Sequence, residues 1–158
     1  MMVRTVHVAG VLLSALLVSL VGGDSAGVAA EARMAAAAGA ARKYQQAMLE
    51  KDWKTICEAR TELLRGGSVA DCLDRTEGLA LDDYGHLRIS IGSISEVEAA
   101  GPHPAGVGLR ISLHEVDMHY AVRVVPGGGS TWLIDQSFVL DTSVGAGVEA
   151  IREGLQAG

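Results

Sequence analysis

The chain has 158 residues and a formal net charge of −6 at pH 7, which fits one domain with short extensions. The negative charge argues against nucleic acid and anionic membrane surfaces as partners, because few cations are available to displace phosphate counterions. Hydrophobic residues make up 49% of the chain, but it holds only three tyrosines, two tryptophans and one phenylalanine, so we expect a small core.

The first 30 residues have the organisation of a secretory signal peptide. Arg4 gives a thin positive region, the apolar run 8–21 follows, and Val28-Ala29-Ala30 supplies small side chains. We therefore expect cleavage between Ala30 and Glu31 and a secreted or extracytoplasmic product with no membrane association. The alternative is an uncleaved N-terminal membrane anchor, although the run is shorter than the roughly 20 apolar residues of a spanning helix.

Composition divides the remaining chain into three parts. Residues 31–42 are rich in alanine and are expected to form a linker, either helical or disordered. Residues 43–141 carry the patterns of a folded domain. Residues 142–158 form a glycine-rich tail in which the apolar spacing permits a helix.

A helical region precedes the predicted strands. Asp52 is a candidate N-cap, and apolar residues spaced by three and four predict one helix from Trp53 to Leu64 that ends at Gly66-Gly67. The segment Ser68–Asp71 resembles a capping box and predicts a further short helix.

Alternating apolar residues then predict an antiparallel sheet. The first strand lies within residues 86–98, and its alternation slips at Gly92-Ser93, which predicts a bulge or bend. Two further strands alternate over 107–113 and 120–124, and we expect Glu115–Met118 to join them as a four-residue hairpin loop.

That loop sets the predicted register. It places Leu113 opposite Tyr120 on the apolar face and His114 opposite His119 on the other face. In the last strand, alternate positions from Trp132 to Phe138 continue the apolar face.

Several of these segments resemble secreted bacterial members of the nuclear transport factor 2-like (cystatin-like) superfamily. The resemblance covers roughly residues 40–140 and is carried by Tyr44 to Cys57 with its Asp52-Trp53 pair, by Cys72, and by Tyr120–Val124 before a glycine turn and Trp132. It implies an α+β fold in which N-terminal helices pack on a bent antiparallel sheet of about four strands, like a cone. Isomerases, cyclases, dehydratases and binding modules all use this scaffold, so the fold does not give the function.

Cys57 and Cys72 are the two cysteines of the chain. In an exported protein such a pair most often forms a structural disulfide. A redox-active pair is the alternative, but the two residues are not arranged as Cys-x-x-Cys.

The histidines at the hairpin end are candidate metal ligands. His114 and His119 with Asp117 between them match the ligand types of a transition-metal site. An exposed hairpin tip explains these residues equally well and is the simpler interpretation. We expect neither a metal nor a cofactor.

Polar residues on the predicted concave side are the candidate site. Tyr120 and Gln136 are expected to face the inside of the cone, where they would bind a ligand or hydrogen-bond each other within an ordinary core. The weak catalytic candidates are Asp83 as a general base, the adjacent Tyr84, and Tyr120. Asp135 is expected on the outer face, near Arg123.

These observations favour an exported, non-enzymatic domain that binds a small molecule or a protein through the open end of the cone. A small lyase or isomerase acting inside the cone is one alternative. A module that forms homodimers through the outer sheet face is another. A closed cavity with a carboxylate near Tyr120 would favour the enzyme, whereas a cavity filled by side chains would count against both pocket interpretations.

Overall fold

A computed structural model describes residues 24–77, 79, 85–140 and 147–157. Its helices in chain order are α1 (Asp24–Glu50), α2 (Trp53–Glu58), α3 (Glu62–Arg65), α4 (Val69–Thr76) and α5 (Val148–Ala157). Its strands are β1 (Ile89–Val97), β2 (Gly106–Leu113), β3 (Met118–Gly128) and β4 (Thr131–Val139), and a 3-10 turn covers His114–Val116.

The predicted fold class is confirmed. The strands form one antiparallel sheet in the order β1-β2-β3-β4, and four helices precede it. We call the face against α1 and α2 the inner face and the face against α5 the outer face.

Helix α1 packs across the inner face through small side chains. Ala37 and Ala41 are completely buried, and Tyr44 is 3% exposed. The alanine-rich stretch is therefore helical and belongs to the core from Ala37 onwards. Residues 26–33 are exposed, so the described start of α1 contributes no buried side chain.

Helix α2 begins where the sequence predicts. The Asp52 carboxylate accepts a hydrogen bond from the backbone amide of Thr55 at 3.1 Å, which confirms the N-cap. Trp53, the first residue of the helix, packs partly buried against the inner core.

The prediction of one continuous helix to Leu64 is wrong, because the chain makes backbone hydrogen bonds to β4 after α2. The amide of Ile134 donates to the carbonyl of Ala59 at 2.8 Å, and the amide of Thr61 donates to the carbonyl of Ile134 at 2.9 Å. Thr61 then caps the new helix α3 by accepting from the amide of Leu64. These long-range bonds outweigh the local helical pattern.

The end of α3 and the start of α4 agree with the prediction. Gly66 ends α3 in the left-handed conformation, at φ 67°. Ser68 and Asp71 form a complete capping box, since the Asp71 amide donates to Ser68 Oγ and the Ser68 amide donates to Asp71 Oδ2.

The disulfide is confirmed. Cys57 of α2 and Cys72 of α4 are bonded with their Cα atoms 5.9 Å apart, and both side chains are buried. The bond encloses α3 and Thr61, so it also supports the segment that pairs with β4. Disulfides of this kind are characteristic of oxidising, extracytoplasmic compartments.

The β2–β3 hairpin differs from the predicted register by two residues. Leu113 pairs with Met118 and Ile111 pairs with Tyr120, so the loop is 114–117 and not 115–118. Asp117 closes it at a φ of 48°, a conformation that aspartate tolerates better than most residues. Because the shift is even, each side chain keeps its predicted face.

The bulge predicted near Gly92 is present, and a second one was not expected. In β1 the pairing slips between Gly92 and Ile94. In β4, Arg123 pairs with Gln136 and Val124 pairs with Ile134, which leaves Asp135 as an extra residue.

The second bulge reverses the faces of the end of β4. Trp132 and Ile134 pack with the inner core, whereas Phe138 packs with the outer cluster beside α5. The prediction that one apolar face runs from Trp132 to Phe138 is therefore wrong.

Helix α5 covers part of the outer face. Its Ile151 and Leu155 are completely buried. The approach is close at two glycines, since a Cβ on Gly108 would lie 2.9 Å from Leu155 Cδ1 and a Cβ on Gly154 would lie 2.6 Å from Phe138 Cζ. Among the described helices, none has the length and apolar character needed to span a bilayer.

Candidate functional site

A completely buried arginine lies between β4, α5 and the β1–β2 loop. Arg123 Nε donates to Gln136 Oε1 at 2.7 Å, and Nη2 donates to the carbonyl of Leu155 at 2.9 Å. Nη1 donates to the carbonyls of Glu98 and Pro104, each at 2.7 Å. One side chain thus fastens the last turn of α5 and both ends of the loop to the sheet.

Arg123 keeps its charge without a directly paired carboxylate among the described residues. Burial lowers the pKa of Arg123, and the nearby charge of Asp135 opposes that shift. Four oxygen acceptors in fixed positions suit the planar guanidinium of arginine. Burial also costs a guanidinium less than a lysine ammonium, because it is more weakly hydrated.

The extra residue of the β4 bulge is a buried carboxylate. The Asp135 side chain is 2% exposed. Its Oδ1 accepts a hydrogen bond from Thr61 Oγ1 at 2.9 Å, and its Oδ2 lies 2.7 Å from His103 Nδ1. Asp135 lies near Arg123, as expected, but it is buried against Thr61 and His103 and does not form an exposed pair with the arginine.

His103 is held by its backbone as well as by its ring. Two backbone hydrogen bonds of 2.9 and 3.0 Å join it to Ala100 across a turn in which Gly101 has a φ of 56°. Prolines precede and follow it, and the second, Pro104, is bound by Arg123. Only 13% of the side chain is exposed.

We call these five residues the buried polar cluster: Thr61, His103, Arg123, Asp135 and Gln136. It joins the segment before α3, the β1–β2 loop, β3, β4 and α5. The pairing of His103 with Asp135 was missed by the sequence analysis because 32 residues separate them and no local pattern links them. The available signal was a histidine fixed between two prolines.

The structure separates the two predicted binding residues. Tyr120 packs against the inner core, and its hydroxyl donates to the sulfur of Met118. Gln136 lies on the outer face, bound to Arg123. The prediction that Tyr120 and Gln136 share the concave side is therefore wrong, and the β4 bulge is the reason.

Of the three predicted catalytic residues, Tyr120 alone lies in the described part of the chain. Burial, followed by the proximity of Tyr44, raises the pKa of Tyr120, so its hydroxyl stays protonated at neutral pH. Asp83 and Tyr84 lie outside the described residues.

Buried side chains of the described residues pack together between the inner face and the helices. They include Ile56 of α2, Leu109 and Val122 of the sheet and Ala41 of α1, all completely buried. Two grooves lie on the surface of the described residues, one along α1 beside Arg42 and Gln46, and another between α1, β1 and α5.

The hairpin histidines point to serines and not to each other. His114 Nε2 lies 2.8 Å from Ser90 Oγ, and His119 Nδ1 lies 2.8 Å from Ser112 Oγ. The two-residue change of register ends the predicted pairing of His114 with His119. The described residues contain no group of three or more histidine, cysteine, aspartate or glutamate side chains suited to a metal ion.

No protein-family model, curated protein or solved structure matches the chain. The functional argument therefore rests on the geometry described above.

Proposed function

We propose that this protein is an exported, non-enzymatic domain that binds a small molecule or a protein partner on its surface. The observation that carries the proposal is the packing of completely buried side chains of the described residues between the inner face and the helices. A ligand inside the cone would have to displace side chains such as Ile56 and Leu109, which are completely buried.

The bonding of the central polar groups supports the same conclusion. Three nitrogens of Arg123 donate to the protein itself, and the hydroxyl of Tyr120 donates to Met118. Groups that already satisfy each other stabilise the fold and offer little to a substrate. The lyase or isomerase alternative inside the cone lacks such support.

Export is supported by the disulfide and by the start of α1. The Cys57–Cys72 bond fits an oxidising compartment. Cleavage between Ala30 and Glu31 falls within α1, where residues 26–33 are exposed, so removing the described residues before Glu31 exposes no core. The uncleaved anchor remains the alternative form of the same exported domain.

The residues on the outer face give little support for the alternative function, a homodimer formed through that face. Its apolar part is covered by α5, whose Ile151 and Leu155 are completely buried. Beyond α5 the face carries the serine–histidine pairs, with Ser112 buried beneath His119. Polar, already bonded groups make a poor core for an obligate interface.

We also propose that the domain belongs to the nuclear transport factor 2-like superfamily. The support is the order of its elements, with helices first and then a bulged antiparallel meander against which Trp53 and Trp132 pack. A solved crystal structure of the mature domain, superimposed on members of that superfamily, tests this assignment.

Hydrogen exchange with and without a ligand retained from the export pathway tests the surface proposal. We expect added protection at exposed segments such as helices α3 and α4 or the β1–β2 loop. Protection confined to the inner face of β2 and to residues 37–47 of α1 would contradict surface binding. Chemical conversion of the ligand by the protein would contradict a non-enzymatic role.

A further inference from the structure

We propose that His103 is a nucleophilic site that accepts an acyl group from small activated acyl donors, such as reactive esters and carbonates. This inference is independent of the proposed binding function. It rests on the contacts of the imidazole in the buried polar cluster.

Those contacts fix which ring nitrogen is available. Asp135 Oδ1 accepts a hydrogen bond from the Thr61 hydroxyl, and Asp135 Oδ2 lies 2.7 Å from His103 Nδ1. An ionised carboxylate only accepts hydrogen bonds, so Nδ1 carries the proton and Nε2 carries the lone pair in the neutral ring. The positive charge of Arg123 lies close enough to interact with this carboxylate.

The lone pair on Nε2 is open to reagents. No hydrogen bond to this atom occurs among the described residues. It is also not one of the side-chain polar atoms that, like Ser95 Oγ, are fully buried in these residues without a hydrogen-bond partner. The backbone around the ring is held as well, since His103 makes two backbone hydrogen bonds with Ala100 and the carbonyl of Pro104 accepts a hydrogen bond from Arg123. Fixed orientation together with one open nitrogen is what a reactive imidazole requires.

In the proposed step, the Nε2 lone pair forms a bond to the carbonyl carbon of the donor. The bond from that carbon to the leaving oxygen breaks, and the oxygen departs with the electron pair. Positive charge develops on the ring during attack, and the Asp135 carboxylate 2.7 Å from Nδ1 stabilises it. The ring then passes its Nδ1 proton through solvent to the departing oxygen, which leaves a neutral acylimidazole.

His86 and His114 provide internal controls. Both are exposed, and neither has a carboxylate partner among the described residues. If exposure decided reactivity, both would react faster than His103, whose side chain is 13% exposed. The proposal requires the opposite order.

The experiment treats the intact, oxidised protein with a low concentration of diethyl pyrocarbonate and follows each histidine by peptide mass spectrometry. At pH 8 ordinary histidines are neutral, so the rates compare nucleophilicity and not protonation. We expect His103 to react at least about tenfold faster than His86 and His114. This is less than the rate increase of about 10²–10⁴-fold that positioned acid–base groups usually give. Equal or slower reaction of His103 in the wild-type protein overturns the proposal.

Asp135→Asn tests the role of the carboxylate as a positioning group. We expect the advantage of His103 to disappear while the rates of His86 and His114 stay unchanged. Asp117→Asn, which removes an exposed carboxylate beside His119, is the matched control and should leave His103 unaffected. An Asp135→Asn protein in which His103 keeps its full rate overturns the proposal, and the wild-type comparison decides the question if that variant does not fold.

Discussion

Replacing Arg123 with methionine is expected to destabilise the domain severely. Methionine keeps much of the length of the side chain but donates no hydrogen bond. Four acceptors then lose their donor: Gln136 Oε1 and the carbonyls of Glu98, Pro104 and Leu155.

The magnitude follows from the burial of this site. Leaving one buried acceptor unsatisfied costs about 1–3 kcal/mol, although carbonyls with other partners lose less. The replacement also relieves the desolvation of the Arg123 guanidinium, so we expect a net loss of about 3–5 kcal/mol, as for other broken buried charge networks. That is a large part of the roughly 5–15 kcal/mol by which a typical domain is stable.

Urea unfolding, followed by the fluorescence of Trp53 and Trp132, measures this loss. Arg152→Met is the matched control, because the contact of Arg152 of α5 recorded among the described residues is an exposed ion pair with Glu149. Exposed pairs contribute about 0–1 kcal/mol, so this control should change little. If Arg123→Met costs no more than Arg152→Met, the buried polar cluster does not stabilise the fold as argued.

Three further changes test other parts of the structure. Replacing Cys57 and Cys72 with alanine should lower the free energy of unfolding by about 3 kcal/mol, the chain-entropy value for a loop of this size, and an unchanged urea midpoint would contradict a stabilising bond. Gly154→Ala should lower the melting temperature, since its Cβ would lie 2.6 Å from Phe138 Cζ. Gly39→Ala should raise the melting temperature, because its Cβ meets no atom within 4 Å and alanine has the better helix propensity. A change of the same sign for both substitutions would refute the close packing of α5. Hydrogen bonds from Arg88 lower the pKa of Glu115 to about 2 from 4.5, so stability linked to Glu115 is present above pH 4.5 and lost as pH falls towards 2. Glu115→Gln should flatten the dependence of melting temperature on pH in that window, and an unchanged slope would contradict the linkage.

Local signals in the sequence were sufficient for the helix ends. Asp52, Gly66 and the Ser68–Asp71 capping box act through hydrogen bonds and backbone angles within a few residues, and each lies where the pattern predicts. The break between α2 and α3 was not predictable in this way. It depends on the pairing of 59–61 with Ile134, a contact between distant parts of the chain.

The pairing of β2 with β3 could be predicted only in part from the sequence. Alternation in 107–113 and 120–124 is equally satisfied when the hairpin shifts by two residues, so the pattern gave the faces of Leu113 and Tyr120 but not their partners. A bulge inside β4 leaves no such trace, because a polar residue at Asp135 fits the outward side of an unbroken strand. An unbroken strand therefore predicts Gln136 on the inner face and gives no sign of the contact between Asp135 and His103.

The fold class and the disulfide were within reach because they depend on many residues or on the two cysteines alone. The buried polar cluster was not, since its members come from four separate segments of the chain. Arg123 and Asp135 are charged residues in strands, which sequence statistics assign to the surface. Only the three-dimensional arrangement shows both buried.

The most direct test of the account is a native mass spectrum of the protein recovered from its own export pathway without reductant. We expect the mass of a chain that begins at Glu31, less two hydrogens for the Cys57–Cys72 bond, with a bound partner that leaves unaltered on denaturation. A chain that retains residues 1–30 and two free thiols would contradict export of an oxidised, mature domain. An oxidised mature chain that carries no partner would contradict the proposed binding function.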